Sequence, residues 1–85
     1  MSNYQVELYA QIYGVKKVLI KYSKEGITFE DLKVSILKRL GNIDYFENDK
    51  KTAKQLIYNS KTTDELVESI YLETRFELRI IESEK

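Results

Sequence analysis

The sequence contains no cysteine and no histidine. Without thiolate and imidazole groups, the chain lacks the usual zinc ligands, the cysteine and histidine nucleophiles and the Ser-His-Asp triad. Its three glycines stand far apart and form no phosphate-binding loop. A chain of 85 residues also leaves little room for a deep pocket beside a core. We therefore predict a protein that is not an enzyme and that uses neither a cofactor nor a small-molecule substrate.

Long apolar runs are also missing from the sequence. No segment approaches the roughly 20 apolar residues that span a bilayer, and the first residues show no basic-then-apolar signal pattern. These absences predict a soluble, cytoplasmic protein without a membrane partner. The net charge is zero, with 14 basic and 14 acidic residues, which argues against nucleic acid as the partner.

The chain contains enough material for one small domain, because 85 residues cannot form two hydrophobic cores. We therefore predict a single domain over residues 1–85. Its charges are unevenly distributed: residues 1–40 carry a balance of +3, and residues 41–85 carry −3. Such asymmetry is typical of modules that present a basic and an acidic face, although chance scatter of solvated charges gives the same totals.

The first half of the chain has clear hydrophobic periodicity. Apolar residues alternate with polar ones over residues 4–13 and again over residues 15–22, which predicts two strands. Gly14 between them indicates an antiparallel hairpin. Thr28 is placed as an N-cap, so we predict an amphipathic helix over residues 29–40.

The second half is less regular. Short apolar segments at residues 43–46 and 55–59 predict a second hairpin. Thr62 or Thr63 caps a helix of about two turns, and residues 74–81 alternate as a last strand. The predicted order is strand-strand-helix-strand-strand-short helix-strand. It implies an α+β fold of the β-grasp type, a ubiquitin-like roll in which one long helix crosses a mixed sheet.

The two predicted helix starts resemble those of the Phox-and-Bem type of ubiquitin-like interaction domain. Members of that family begin the long helix with Gly-Ile-Ser-Phe-Glu-Glu-Leu and the short helix with Ser-Asp-Glu-Asp-Leu-Glu-Glu-Ala. The corresponding segments here are Gly26-Ile27-Thr28-Phe29-Glu30-Asp31-Leu32 and Thr62-Thr63-Asp64-Glu65-Leu66-Val67-Glu68-Ser69. The resemblance covers nearly the whole chain.

The resemblance implies a protein-binding module that pairs head to tail, in which a basic face meets an acidic loop of another domain. The partner is then another protein, including a second copy of this chain. The lysine that the family has on its first strand is absent here, and lysines interrupt the acidic motif within residues 50–54. The basic face would be represented by Lys16, Lys17 and Lys21, and the acidic hairpin by Asp44, Glu47 and Asp49.

The lysines of the first hairpin have further interpretations. Two exposed tyrosines of the paired strand complete the predicted partner-binding surface, which consists of Lys16, Lys17, Lys21, Tyr9 and Tyr13. Basic and aromatic side chains together are also typical of nucleic-acid binding, and lysines alone discourage pairing at a strand edge. We predict a protein-protein interaction module, an adaptor or scaffold that acts by charge complementarity or sheet-edge pairing. The alternative is a small stand-alone phage- or mobile-element-type protein that inhibits a host factor or binds nucleic acid.

Overall fold

The computed structural model describes residues 1–84 and has three strands and three helices within that range. In chain order the elements are β1 (Ser2–Ile12), β2 (Val15–Ile27), α1 (Phe29–Leu40), α2 (Glu47–Asn59), α3 (Thr63–Glu73) and β3 (Phe76–Glu84). Among the described residues, no helix combines the length and the apolar character needed to cross a membrane.

The first two strands form the predicted hairpin. Tyr13 and Gly14 make its two-residue turn with φ values of 53° and 76°, and Ile12 pairs with Val15 across it. Positive φ at both central residues is typical of the type I′ turn, which suits the right-handed twist of the flanking strands. β3 pairs antiparallel with the other side of β1, so the sheet order is β2-β1-β3.

One face of the sheet forms the core together with the helices. The even-numbered residues of β1 from Tyr4 to Ile12 are at most 7% exposed. Leu32 of α1, Ile57 of α2 and Leu66 of α3 belong to the same apolar cluster and are at most 1% exposed. Burial of this apolar surface is the main driving force for folding. The opposite face of the sheet is not covered by any helix of residues 1–84, and we call it the open face.

Two threonine side chains cap the N-termini of helices whose starts the sequence predicted. The Thr28 hydroxyl accepts a hydrogen bond from the Asp31 amide at 3.1 Å, and the Asp31 carboxylate accepts one from the Thr28 amide at 3.4 Å. The Thr62 hydroxyl accepts from the Glu65 amide at 3.1 Å. The helix that follows Thr62 is longer than predicted, with eleven residues in place of about two turns, since no glycine or proline interrupts it.

The predicted β-grasp order is wrong between residues 42 and 60. Residues 43–46 belong to a connection and residues 55–59 belong to α2, so the predicted second hairpin does not exist. The residues that α2 buries are Lys50, Ala53 and Ile57, at helical spacing. Because lysine is rarely buried, Lys50 at a buried position makes the amphipathic pattern of α2 difficult to recognise in the sequence.

The architecture also differs from the predicted one. Both strand pairs in residues 1–84 are antiparallel, so the sheet is not mixed. Three helices of 11 to 13 residues share one face of the sheet in that range, where one long helix across it was predicted. The fold is a two-layer α+β arrangement in the order β-β-α-α-α-β. Its consequence for function is that β2 and β3 are both edge strands.

Candidate functional site

Tyr9 lies on the open face, on the central strand β1. The Lys16 Nζ atom is 4.9 Å from the centre of the Tyr9 ring, and the Arg79 Cζ atom is 5.4 Å from it. Cations at such distances are attracted by the electron-rich face of an aromatic ring. The structure therefore brings Lys16 and Tyr9 together, as the sequence predicted, and adds Arg79 from β3.

Carboxylates accompany the cations of the open face. Lys16 forms an ion pair with Glu77 of β3 at 3.0 Å. Glu7 lies 3.9 Å from both Lys21 and Arg79, which are its direct neighbours on β2 and β3. Exposed ion pairs of this kind contribute little to stability. They do reduce the positive potential that this face would present to a polyanion.

The other two residues of the predicted basic surface lie elsewhere. A register shift leaves Leu19 as an extra residue of β2, in the manner of a β-bulge. Lys17 consequently lies opposite Ala10, whose side chain is in the core, so Lys17 is on the helix-bearing side of the sheet. Tyr13 is fully exposed in the hairpin turn. The predicted surface is therefore divided between the open face, its opposite side and the tip of the hairpin.

The three acids of the predicted acidic hairpin do not form a common surface in this fold. Asp49 Oδ2 accepts hydrogen bonds from the Arg75 amide at 2.9 Å and from Arg75 Nε at 2.8 Å. These hydrogen bonds from Arg75 hold the pKa of Asp49 below its usual range. Glu47 lies 3.5 Å from Lys50 within α2, and Asp44 is exposed in the preceding connection. The three acids have separate surroundings, and no group of acidic side chains in residues 1–84 is placed to hold a metal ion.

Two lysines lie inside the helical layer. Lys33 is 8% exposed, and its Nζ donates hydrogen bonds to the carbonyl oxygens of Tyr58 at 3.0 Å and Ser60 at 2.8 Å. Lys50 is 7% exposed and donates to the carbonyl oxygen of Ile43. Lys33 satisfies carbonyls at the C-terminal end of α2, which the hydrogen bonds of the helix leave open, and Lys50 satisfies a carbonyl of the connection before α2. Both lysines therefore hold the helices in place and are not accessible to a partner.

The free side of β2 is a second candidate surface, next to the open face. β2 is thirteen residues long and, within residues 1–84, pairs only with β1. Its four lysines are all exposed: Lys16, Lys17, Lys21 and Lys24. Lys17 and Lys24 form no ion pair with the described residues, and both lie on the helix-bearing side of the strand. We call this free side, with its four lysines, the basic edge. The recurring lysines were visible in the sequence, but their position at an edge depends on the strand order.

Comparison of the chain with protein-family models, with curated proteins and with solved structures found no match. The resemblance to the Phox-and-Bem family stays a prediction. The β-grasp fold that it implied is replaced by the β-β-α-α-α-β order. The surfaces that remain as candidates for binding are the open face and the edges of the sheet.

Proposed function

We propose that the protein is an interaction module that binds another protein by strand addition at the basic edge. The observation that carries this proposal is the thirteen-residue edge strand β2, whose free side has no partner strand within residues 1–84. A free edge offers backbone N–H and C=O groups with which an extended segment can pair, while neighbouring side chains supply specificity.

The lysines of the basic edge define the chemistry of the partner. Lys17 and Lys24 are exposed and have no carboxylate partner among residues 1–84. An incoming strand with aspartate or glutamate places opposite charges next to them, whereas a basic strand is repelled. Lysines on an edge strand also oppose indiscriminate pairing. We therefore propose an extended, acidic segment as the element of the partner that binds β2.

The proposed role is that of an adaptor or scaffold, without catalysis, cofactor or small-molecule substrate. We also propose that the protein acts in the cytoplasm. Fractionation of the native cells with immunodetection tests the location, and recovery from a membrane or secreted fraction would contradict it.

A pull-down from the native cell extract, quantified by mass spectrometry, tests strand addition. The edge variant carries Lys17→Glu and Lys24→Glu. The control variant carries Lys51→Glu and Lys54→Glu at exposed positions of α2 and changes the net charge equally. We expect the control variant to retain the proteins that the wild type captures and the edge variant to lose them. Equal capture by all three chains contradicts the proposal.

One observation favours a second function. Lys16 and Arg79 lie within 5.4 Å of the centre of the Tyr9 ring, an arrangement on which nucleic-acid bases can stack. The neighbouring carboxylates of Glu7 and Glu77 oppose a polyanion, which makes nucleic-acid binding the second candidate. Titration of labelled single-stranded RNA and DNA with the wild type and with Tyr9→Ala decides between them. Binding that is lost in Tyr9→Ala, together with unchanged protein capture by the edge variant, would replace the first proposal.

A further inference from the structure

A groove of about 550 Å³ runs between α3 and β3. Val67 of α3 and Ile80 of β3 belong to its apolar lining. Asp64 and Glu68 of α3 contribute carboxylates to the same groove. Glu77 and Arg79 of β3 also line it, but their charged groups are directed to the open face, where they lie beside Lys16 and Tyr9. We call this surface the acidic groove.

The acidic groove lies at the second edge of the sheet. β3 is the last strand on this side within residues 1–84, because the strand order is β2-β1-β3. Leu66 and Ile70 of α3 are at most 1% exposed in the core, whereas Val67 and Ile80 are only half-buried. An extended segment in the groove can therefore pair with the β3 backbone and remove more apolar surface from water at the same time.

The charges around this groove are predominantly negative. Helix α3 contains four acidic residues and no basic one, and β3 contains three acidic residues and one arginine. None of these acids belongs to the predicted acidic hairpin. Strand β2 has the opposite composition, with four lysines and one glutamate. A lysine-bearing strand such as β2 is therefore the complementary occupant of the groove.

We propose that the acidic groove binds the basic edge of a second copy of this chain. The inference rests on the proposed function, in which β2 is the binding strand, and it identifies the surface that receives it. A lysine on the helix-bearing side of β2, Lys17 or Lys24 according to the register, approaches Asp64 and Glu68 of the other copy, while β2 pairs with β3. Each copy has one basic edge and one acidic groove, so the contact joins different surfaces and produces open assemblies that grow with concentration.

Sedimentation velocity tests whether such assemblies form. The wild type is measured over a range of concentrations at low salt and at about 1 M salt, where charges more than about 3 Å apart are screened. We expect the mean size to increase with concentration at low salt and to decrease at about 1 M salt. A monomer at every concentration in low salt would overturn the inference.

Two double variants locate the contact. The edge variant, Lys17→Glu with Lys24→Glu, retains the acidic groove, and the groove variant, Asp64→Lys with Glu68→Lys, retains the basic edge. Each alone is expected to associate about tenfold more weakly than the wild type, or weaker still. Their mixture is expected to recover assembly, because every contact then joins opposite charges. The control variant on α2 is expected to assemble like the wild type.

Circular dichroism and thermal unfolding establish that each variant is folded. If a double variant fails to fold, the single changes Lys24→Glu and Glu68→Lys replace it, with the same expected direction. Assembly that persists equally in both variants would place the contact elsewhere and overturn the inference.

Failure of self-pairing is distinguishable from failure of the proposed function. If the wild type stays monomeric while extract proteins are lost only from the edge variant, self-pairing is overturned and strand addition at β2 stands. If the groove variant alone weakens assembly, β2 is not the occupant of the groove, and the inference is overturned. If the edge variant also captures extract proteins as the wild type does, the proposed function fails with it.

Discussion

The two faces of the sheet are built from the same three strands but have different roles. On the closed face, which the helices cover, Val6, Leu8 and Leu78 are at most 3% exposed. On the open face, the Arg79 guanidinium lies 5.4 Å from the centre of the Tyr9 ring, and Arg79 is exposed. Apolar burial contributes most of the stability, whereas exposed charge pairs contribute little. The closed face therefore specifies the fold, and the open face and the edges can be adapted to a partner.

The largest expected effect distinguishes two adjacent residues of β1. Leu8 is 3% exposed in the core, and Leu8→Ala is expected to lower the free energy of unfolding by about 3 kcal/mol, because it leaves a cavity. Tyr9→Ala on the open face is expected to lower it by less than about 1 kcal/mol. Urea unfolding followed by circular dichroism measures both. Equal losses at the two positions would remove the distinction between the faces.

In the helical layer, a buried lysine and an exposed lysine of α1 can be compared in the same way. Lys33→Met preserves much of the aliphatic stem but removes the donor to the carbonyl oxygens of Tyr58 and Ser60. We expect the free energy of unfolding to fall by about 2 kcal/mol. Lys38→Met, at an exposed position of the same helix, is the control and is expected to change it by less than about 0.5 kcal/mol. A similar result for both variants would mean that the buried lysine does not hold α1 to α2.

The fold was predictable where the local pattern is complete. The antiparallel hairpin around Gly14 and the N-cap at Thr28 depend on neighbouring residues, and the structure has both, although its turn also includes Tyr13, which the alternation assigned to the first strand. Helix α2 was missed because Lys50 occupies a buried helical position and donates to Ile43, which lies outside the helix. Such a tertiary contact cannot be inferred from the hydrophobic periodicity of the sequence. The aromatic and β-branched residues within 55–59 then favoured a strand.

The candidate site was predictable as far as it depends on one hairpin. Lys16 and Tyr9 meet through the pairing of β1 with β2, which the sequence indicates. The extra residue Leu19 moves Lys17 to the other side of the sheet, and no turn residue or glycine marks that position. The Glu77 carboxylate forms an ion pair with Lys16 only because β3 pairs with β1. That pairing joins residues far apart in the sequence, so local patterns do not determine it.

Asp49 joins the helical layer to the start of β3, and its removal has an intermediate expected effect. Asp49→Asn weakens the charge-assisted hydrogen bonds from Arg75, at 2.8 and 2.9 Å, and is expected to cost about 1.5 kcal/mol of unfolding free energy at neutral pH. Urea unfolding measures this loss. Asp49→Asn is also expected to leave the chain folded, because the core residues are unchanged.

The same pair predicts a pH dependence. Hydrogen bonds from Arg75 lower the pKa of Asp49 in the folded chain. A carboxylate of this kind stabilises the fold fully above its unfolded pKa, near about 4, and the contribution is lost as pH falls through the lower folded pKa. The stability difference between wild type and Asp49→Asn is therefore expected to shrink from about pH 4 downward. A difference that stays constant in strong acid would contradict the assignment.

Glu77→Gln has the smallest expected effect on stability and tests the open face most directly. Glu77 lies 3.0 Å from Lys16 in an exposed ion pair, so its loss is expected to change the free energy of unfolding by less than about 0.5 kcal/mol. The substitution removes the negative charge next to Lys16, which lies near the start of β2. A labelled, extended glutamate-rich peptide is then expected to bind the basic edge about two- to threefold more tightly at low salt, with the gain removed by high salt.

Fluorescence anisotropy measures this affinity, and Glu65→Gln, an exposed change on α3, is the control with the same charge difference. Because Glu77→Gln leaves stability nearly unchanged, a gain in affinity comes from the surface potential of β2 and not from a change in folding. Tighter binding by Glu77→Gln alone would show that the open face limits the attraction of the basic edge for acidic segments. Equal binding by both variants would mean that Lys16 takes no part, and recognition would then depend on the helix-bearing side of β2, where Lys17 and Lys24 lie.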